Sequence, residues 1–444
     1  MKCIIQSVAV LLLSVFAFTA LAQKSTPLQY WRAYDQRGVN VFEPSKEEAK
    51  EFEGLKVRIG GNFAQQYQGL DHSNDAEEVL FPGTDINRNE LFALAPGFNL
   101  ATANLYVDAQ LADGIRVAVE SYMSSRHHEE FWVKGGYIQV DKLPMFGNPD
   151  WFTDKVRVKI GHFQPNYGDQ MFRRSDNGQA MYNPFVGNYI MDAFTTEIGG
   201  EAYLFPTNNL MLMAGMTSGL IAGSVEEGTR KPSVYAKAAY DKQFTEDFRF
   251  RLSGSIYTNP EAGRNTLYAG DRAGSRYYMV MEPAFAIPRG GNSPRPTGPG
   301  GNFTSGRWNP NFTENVTAIS ISPFLKYSGL EFFGTFESSS GYAGFENKDN
   351  KRSVTQVGAE LLYRFLANEQ LFVGARYNTL SGELAPNIED ATIDRLQISA
   401  GWYPIQQLLL KVEYVNQQYN DFPVTALQHE GEFNGFVLEA VVGF

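Results

Sequence analysis

The last thirteen residues of the chain differ in character between the two parities. Residues of one parity are mostly apolar, and those of the other parity include one acidic and two small residues; the first set is Asn434, Phe436, Leu438, Ala440, Val442 and Phe444, the second Glu439, Gly435 and Gly443. A period of two is that of a β-strand. Alternation over this length, ending on an aromatic residue, is typical of a strand with one face in lipid and one in water. A strand of a soluble sandwich is the alternative, but such strands are usually shorter.

The same alternation recurs from residue 56 to the C-terminus and predicts about sixteen strands. They lie near 56–68, 100–111, 114–124, 131–141, 155–164, 194–204, 209–218, 232–241, 247–258, 315–327, 330–339, 353–366, 370–380, 392–403, 407–418 and 432–444. Short turns alternate with long polar or Gly/Pro-rich segments, the arrangement of outer-membrane barrels. The sequence therefore predicts an all-β fold, a transmembrane antiparallel β-barrel spanning residues 56–444.

The N-terminus predicts an exported protein. An apolar run from Val8 to Leu21, followed by polar residues, is too short for a membrane anchor and is typical of a signal peptide over residues 1–22. Residues 23–55 do not alternate. We interpret them as an N-terminal periplasmic segment, a lead-in or a small plug, with a short helix over 45–53 capped by Ser45.

Composition supports export into a membrane. Aromatic residues make up 14% of a chain with 42 glycines and a mean hydropathy of only −0.30, as expected where half of each strand faces water. The single cysteine, Cys3, lies in the predicted signal peptide, so disulfides do not stabilise the mature chain. A formal net charge of −11 argues against nucleic acid as a partner.

Strand parity predicts which charges face the interior. In residues 155–160 the apolar positions are Val156, Val158 and Ile160, so Lys155, Arg157 and Lys159 face inward. The same reasoning over all strands gives a basic inner wall of Lys155, Arg249, Arg251, Arg364, Arg376 and Arg395. Among all inward-facing positions, basic residues outnumber acidic ones. A basic aqueous bore favours anions. Alternatively, these charges pair across strands and stiffen the wall, or those near strand ends bind lipid phosphates.

Three runs in the middle of the chain resemble a known family. They are Gly161–His162–Phe163–Gln164–Pro165–Asn166–Tyr167–Gly168–Asp169, then Phe172–Arg173–Arg174–Ser175–Asp176–Asn177–Gly178, then Asn183–Pro184–Phe185–Val186–Gly187–Asn188. They resemble the phosphate-selective porin O and P family in its Bacteroidota version. The resemblance is specific over 155–205 and covers most of the mature chain in layout.

The resemblance implies a sixteen-stranded porin, often trimeric, that passes small polar solutes and prefers phosphate in its best-known members. By resemblance to sixteen-stranded diffusion porins, the third long loop, residues 165–193, is expected to fold into the barrel. A constriction would then contain Arg157, Lys159, Asp169, Arg173, Arg174 and Asp176. The loop lacks the lysine cluster of phosphate-selective members, which leaves a general anion bias. Phe444 resembles the terminal signal read by the barrel assembly machinery.

Catalytic, cofactor and metal sites are not predicted. The pair His127–His128 with Glu129 and Glu130 is typical of a solvated loop tip, and Asp85–Glu90 lacks the central glycine of a calcium loop. The sequence thus predicts a non-enzymatic porin in the outer membrane of a Gram-negative bacterium, in contact with membrane lipid and lipopolysaccharide and passing small polar or anionic solutes. The alternatives are a non-conducting barrel that binds partners through its surface loops, and an outer-membrane enzyme.

Overall fold

The computed structural model describes residues 28–47, 50–125, 131–218, 231–270, 276–288, 290–298 and 304–444. Three strands have only two residues: β2 (Gly97–Phe98), β11 (Phe285–Ala286) and β12 (Arg295–Pro296). The remaining sixteen are β1 (Lys56–Ser73), β3 (Thr102–Ala112), β4 (Ile115–Ser124), β5 (Phe131–Val140), β6 (Val156–Phe163), β7 (Glu197–Thr207), β8 (Leu210–Thr217), β9 (Ser233–Gln243), β10 (Phe248–Asn259), β13 (Asn315–Tyr327), β14 (Leu330–Tyr342), β15 (Arg352–Phe365), β16 (Leu371–Gly382), β17 (Ala391–Ile405), β18 (Leu408–Asn420) and β19 (Glu432–Gly443).

These sixteen strands form a closed barrel. Each pairs antiparallel with its neighbours in the chain, and β1 closes the ring by pairing with β3 on one side and with β19 on the other, from Asn62↔Gly443 to Ser73↔Glu432. Closure gives every strand two partners, which a membrane demands because lipid offers no hydrogen bonds to a free edge. The predicted sixteen-stranded antiparallel barrel is confirmed.

Helical structure is sparse in the described residues. It comprises one α-helix, α1 (Asp150–Thr153), and three 3₁₀ turns. No helix in this part of the chain has the length and apolarity needed to cross a membrane.

The predicted inward and outward faces are also observed. On β17, Ile398 and Trp402 are 52% and 48% exposed, whereas Arg395 and Gln397, one step out of phase, are 0% exposed. The outward side chains form the apolar belt of the barrel. The inward ones are buried, because the interior is occupied by polypeptide.

Three segments fill the interior. The first is the N-terminal segment (residues 28–46), the second is the inserted loop (residues 165–193), and the third is the long loop (the described residues of 260–314). Within the inserted loop, every residue from Asn166 to Asp192 is buried except Met171 and Phe172, which are half-buried. Leu267, Tyr277 and Val280 of the long loop are at most 2% exposed.

Two observations bear on the predictions for residues 23–55. The short helix predicted over 45–53 is wrong for its described residues, since 45–47 and 50–53 are not helical; Glu48 and Ala49 lie outside the described residues. The N-terminal segment lies within the barrel end rather than beside it, as a small plug would: Tyr34 bonds to the inward Asp108. The predicted signal peptide and the pair His127–His128 lie outside the described residues.

In the sequence, 131–141 has no clean face, since Trp132, Lys134 and Gly136 alternate with Val133, Gly135 and Tyr137; the structure of β5 shows a local cause. Glu120 pairs with Gly135 but the next residue, Ser121, pairs with Val133, so Lys134 is an extra residue in a β-bulge. A bulge shifts the alternation by one position and redirects a side chain.

Candidate functional site

The inserted loop lies against inward-facing residues of the wall formed by β15–β19. Lys411 donates hydrogen bonds to the carbonyls of Ala180 and Phe185, at 3.2 and 2.9 Å. Arg376 and Arg395, both predicted wall residues, donate to the carbonyls of Gly187 and Asn188, at 2.8 and 2.6 Å. These cations therefore satisfy backbone oxygens of the loop instead of facing open water.

The two arginines of the inserted loop are themselves paired. Arg173 is 1% exposed and bridges Glu331 and Glu360 of the wall, at 2.7 and 2.8 Å. Arg174 pairs with Asp192 of the same loop at 2.7 Å. These contacts favour a role in fixing the shape of the loop over an electropositive narrowing.

A charge cluster joins the barrel wall to the N-terminal segment and the inserted loop at one place. Arg251 of β10 contacts Asp169 of the inserted loop and Glu43 of the N-terminal segment, both at 2.7 Å. Lys237 of β9 contacts the same two carboxylates, at 2.8 and 3.0 Å. Burial alone would raise the pKa of both acids, but the charges of Arg251 and Lys237 outweigh it: the pKa of Glu43 is lowered to about 2, and that of Asp169 is also lowered.

Asp176 has a partner that the sequence analysis missed. Lys134, the bulge residue of β5, contacts Asp176 at 2.7 Å and Glu120 at 3.1 Å. Parity could not assign Lys134, because the bulge breaks the alternation. The lack of a clean face in 131–141 was the available signal.

Arg157 and Lys159 lie on the opposite wall from the docked loop, on successive inward positions of β6. Arg157 donates to Asp141 at 2.8 Å and to the carbonyl of Pro44 at 2.7 Å. Lys159 is 3.7 Å from Glu201. Of the predicted constriction residues, Arg157, Lys159, Arg174 and Asp176 line one cavity, whereas Asp169 and Arg173 do not line it.

The remaining wall residues are also accounted for. Arg249 pairs with Asp241 at 2.7 Å, and Arg364 with Glu331 at 2.8 Å. Lys155 precedes β6 and is exposed at the rim. Apart from Lys155, the basic wall is a set of partnered cations, buried except for the half-buried Arg249, which matches the alternative in which interior charges hold the wall rigid.

Tyrosines of the inserted segments bind wall carboxylates, a feature that the sequence analysis did not anticipate. Glu337 of β14 accepts hydrogen bonds from Tyr167 at 3.0 Å and from Tyr268 at 2.8 Å. Tyr277 donates to Glu413 at 2.6 Å, and Tyr189 to Glu360 at 2.9 Å. Neutral donors thereby satisfy buried acids without a cation for each one.

A cavity of about 250 Å³ remains between β3–β7 and the inserted segments. Its lining includes Glu120, Lys134, Arg157 and Lys159 from the wall, with Asp176 from the inserted loop. A second pocket of about 370 Å³ lies nearer the short-turn end, beside the turn at Asn208 and Asn209. Phe42, Glu43 and Pro44 line both, so this part of the N-terminal segment separates the two spaces.

The charges that line the cavity are mostly paired. Lys134 contacts Glu120 and Asp176, and Arg157 pairs with Asp141. No group of three or more metal-binding side chains occurs among the described residues.

Comparisons with known proteins agree on the fold. No protein-family model and no curated protein matches the sequence. Among solved structures, an anion-selective porin from Comamonas acidovorans is similar, with a TM-score of 0.51 and 10% identity over 88% of this chain and 100% of that chain. OprB from Pseudomonas putida is similar with a TM-score of 0.50 and 10% identity over 88% of this chain and 94% of that chain. At such identities the likeness shows a shared barrel fold.

Proposed function

We propose that this protein is a channel of the Gram-negative outer membrane through which small hydrophilic solutes diffuse. The observation that carries the proposal is the charged cavity inside a closed sixteen-stranded barrel, with a second pocket on the other side of Phe42–Pro44 at the short-turn end. An apolar belt on the outside and charged groups on the inside are the arrangement that a water-filled barrel requires.

The proposed passage is narrow and lies to one side of the barrel axis. The inserted loop covers the β15–β19 wall, so solutes would follow the β3–β7 side. Phe42–Pro44 then forms the partition that a solute must pass. Conductance is therefore expected to be small compared with that of an empty barrel of the same strand number.

A weak anion preference follows for this passage. Lys159 borders the cavity and donates no hydrogen bond among the described residues, while the cavity acids Glu120 and Asp176 both contact Lys134. A pore lined in this way attracts anions mildly. The absent lysine cluster and the buried arginines argue against strict phosphate selectivity.

Planar-bilayer recording of the mature protein tests the proposal. Steady ohmic steps are expected, and a reversal potential in a KCl gradient that favours chloride. A current carried mainly by potassium would contradict the anion preference. The homo-trimer and assembly through Phe444 stay predictions, which native mass spectrometry and a Phe444 deletion would test.

The filled interior favours one alternative, a non-conducting barrel that binds partners through its surface loops. Silence in the bilayer, both for the mature protein and after removal of the N-terminal segment, would favour this alternative and refute the channel.

A further inference from the structure

We propose that the cavity beside β6 is a binding site for a small aromatic carboxylate, held by Arg157 and Lys159. The proposal deepens the proposed function, because a solute that binds here lies on the passage. The site consists of a cation with uncommitted donors, a second cation with one uncommitted donor, and aromatic rings around them.

Lys159 is the first cation. Its ammonium lies 4.0 Å from the ring centroid of Phe163 and 4.5 Å from that of Tyr137. Among the described residues it donates no hydrogen bond, and its single ionic neighbour is Glu201 at 3.7 Å. That carboxylate already accepts from the backbone of Asn166 and from Tyr203 and Tyr235, so it does not depend on Lys159. The three N–H groups of Lys159 are therefore available to a ligand.

Arg157 is the second cation. It lies two residues away on the same face, about 7 Å along the strand. Its Nε and Nη1 are bound by Asp141 and Pro44, which orient the guanidinium. Arg157 is only 3% exposed, and its buried Nη2 has no hydrogen-bond partner in the described part of the chain. An unsatisfied buried donor costs free energy, and an anion accepting from it would remove that cost.

The surroundings select for an acid with an apolar body. Tyr30 and Phe205 lie beside the Arg157 guanidinium, at 5.5 and 5.4 Å, and Tyr137 and Phe163 flank Lys159. Aromatic walls favour a ring by edge and face contacts. The cavity equals the volume of about eight water molecules, which accommodates a single-ring acid but leaves little room for a larger one.

Inorganic phosphate fits the site less well. A dianion needs more donors than Nη2 of Arg157 and the Lys159 ammonium provide, and Glu201 and Glu120 lie in or near the same space. A monoanion that spreads its remaining surface over rings avoids both difficulties.

Isothermal titration calorimetry of the detergent-solubilised mature protein tests the site with four probes. Benzoate carries both features, benzyl alcohol lacks the charge, acetate lacks the ring, and inorganic phosphate carries charge alone. We expect heat of binding with benzoate, and at least about ten-fold weaker binding for each other probe. Equal affinity for phosphate or for benzyl alcohol would overturn the proposed ligand class.

Matched variants locate the site. Lys159→Met and Phe163→Leu should each weaken benzoate binding by about ten-fold or more, the first by removing the charge and the second by removing a ring. Lys326→Met is the control, because Lys326 pairs with Glu369 and does not line the cavity. Circular dichroism and heat-dependent gel mobility verify that each variant forms the barrel. Unchanged benzoate affinity in both folded site variants would refute the site.

Single-channel conductance in benzoate-free buffer separates this proposal from the channel itself. A conducting protein that does not bind benzoate contradicts the site alone, whereas a silent protein contradicts the proposed function whatever it binds.

Discussion

Glu43 accepts a hydrogen bond from Arg251 at 2.7 Å, linking the N-terminal segment to the barrel wall. The same guanidinium donates to Asp169 of the inserted loop, at 2.7 and 2.9 Å. One wall arginine thus fixes two segments that lie far apart in the sequence. Since Glu43 also lines the partition between the two interior spaces, this contact controls the width of the proposed passage.

Acid should loosen this contact. The pKa values of Glu43 and Asp169 are lowered in the folded protein, so their ion pairs stabilise the segment above the ordinary carboxyl pKa of about 4, and that stabilisation is lost as the pH falls toward 2. Conductance should therefore be constant from pH 7 to about pH 5 and rise below about pH 4. Bilayer recordings across this range measure it.

Glu43→Gln should shift that response. The amide keeps the size of the side chain but not its charge, so part of the rise in conductance should already be present at pH 7. Glu47→Gln is the matched control, because Glu47 is exposed and lies outside the cluster. A variant at position 43 with the pH profile of the unmodified protein would show that the partition does not depend on this charge.

Deleting residues 28–46 should increase single-channel conductance several-fold. These residues cross the short-turn end, from Gln29 near Gln110 to Lys46 near Asp141, and Asn40 contacts Glu331 between them. Removing them would unite the cavity and the outer pocket. If conductance does not change, the N-terminal segment does not limit the passage. Heat-dependent gel mobility reports whether the shortened barrel forms.

Arg173→Met should strongly destabilise the protein. The substitution leaves Glu331 with Arg364 and Glu360 with Arg376 but removes the cation between the two acids, and breaking a buried pair costs about 3–5 kcal/mol. Urea unfolding in detergent measures the loss. Lys231→Met is the control, since Lys231 is 59% exposed beside Glu261 and should change stability by less than about 1 kcal/mol.

Gly358→Val should displace the inserted loop from the wall. A Cβ at this position of β15 would lie 2.3 Å from Cε1 of the Tyr189 ring. Ring displacement would also break the Tyr189–Glu360 hydrogen bond. The expected result is lower stability with a larger conductance. Gly254→Val is a suitable comparison, because nothing lies within 4 Å of a Cβ there. Equal behaviour of the two variants would contradict tight docking at Tyr189.

The sequence alone determined the barrel. Strand number, approximate bounds and the facing of residues such as Ile398 and Arg395 all follow from a period of two, because lipid on one side imposes that period on every strand. The exception, Lys134 on β5, arises because a single extra residue in a bulge breaks the periodicity: the sequence shows that 131–141 has no clean face, but not which residue is the extra one.

Only the tertiary structure decided what the inward charges do. Parity places Glu331, Arg376 and Lys411 inside, but it does not reveal that Arg173 of the inserted loop pairs with Glu331, or that loop carbonyls accept hydrogen bonds from the other two. Those contacts join residues more than a hundred positions apart in irregular loops, where no period constrains the side chains. The charge facing water therefore depends on which groups the loops leave uncovered, and Lys159 on the opposite wall, on β6, is one of them.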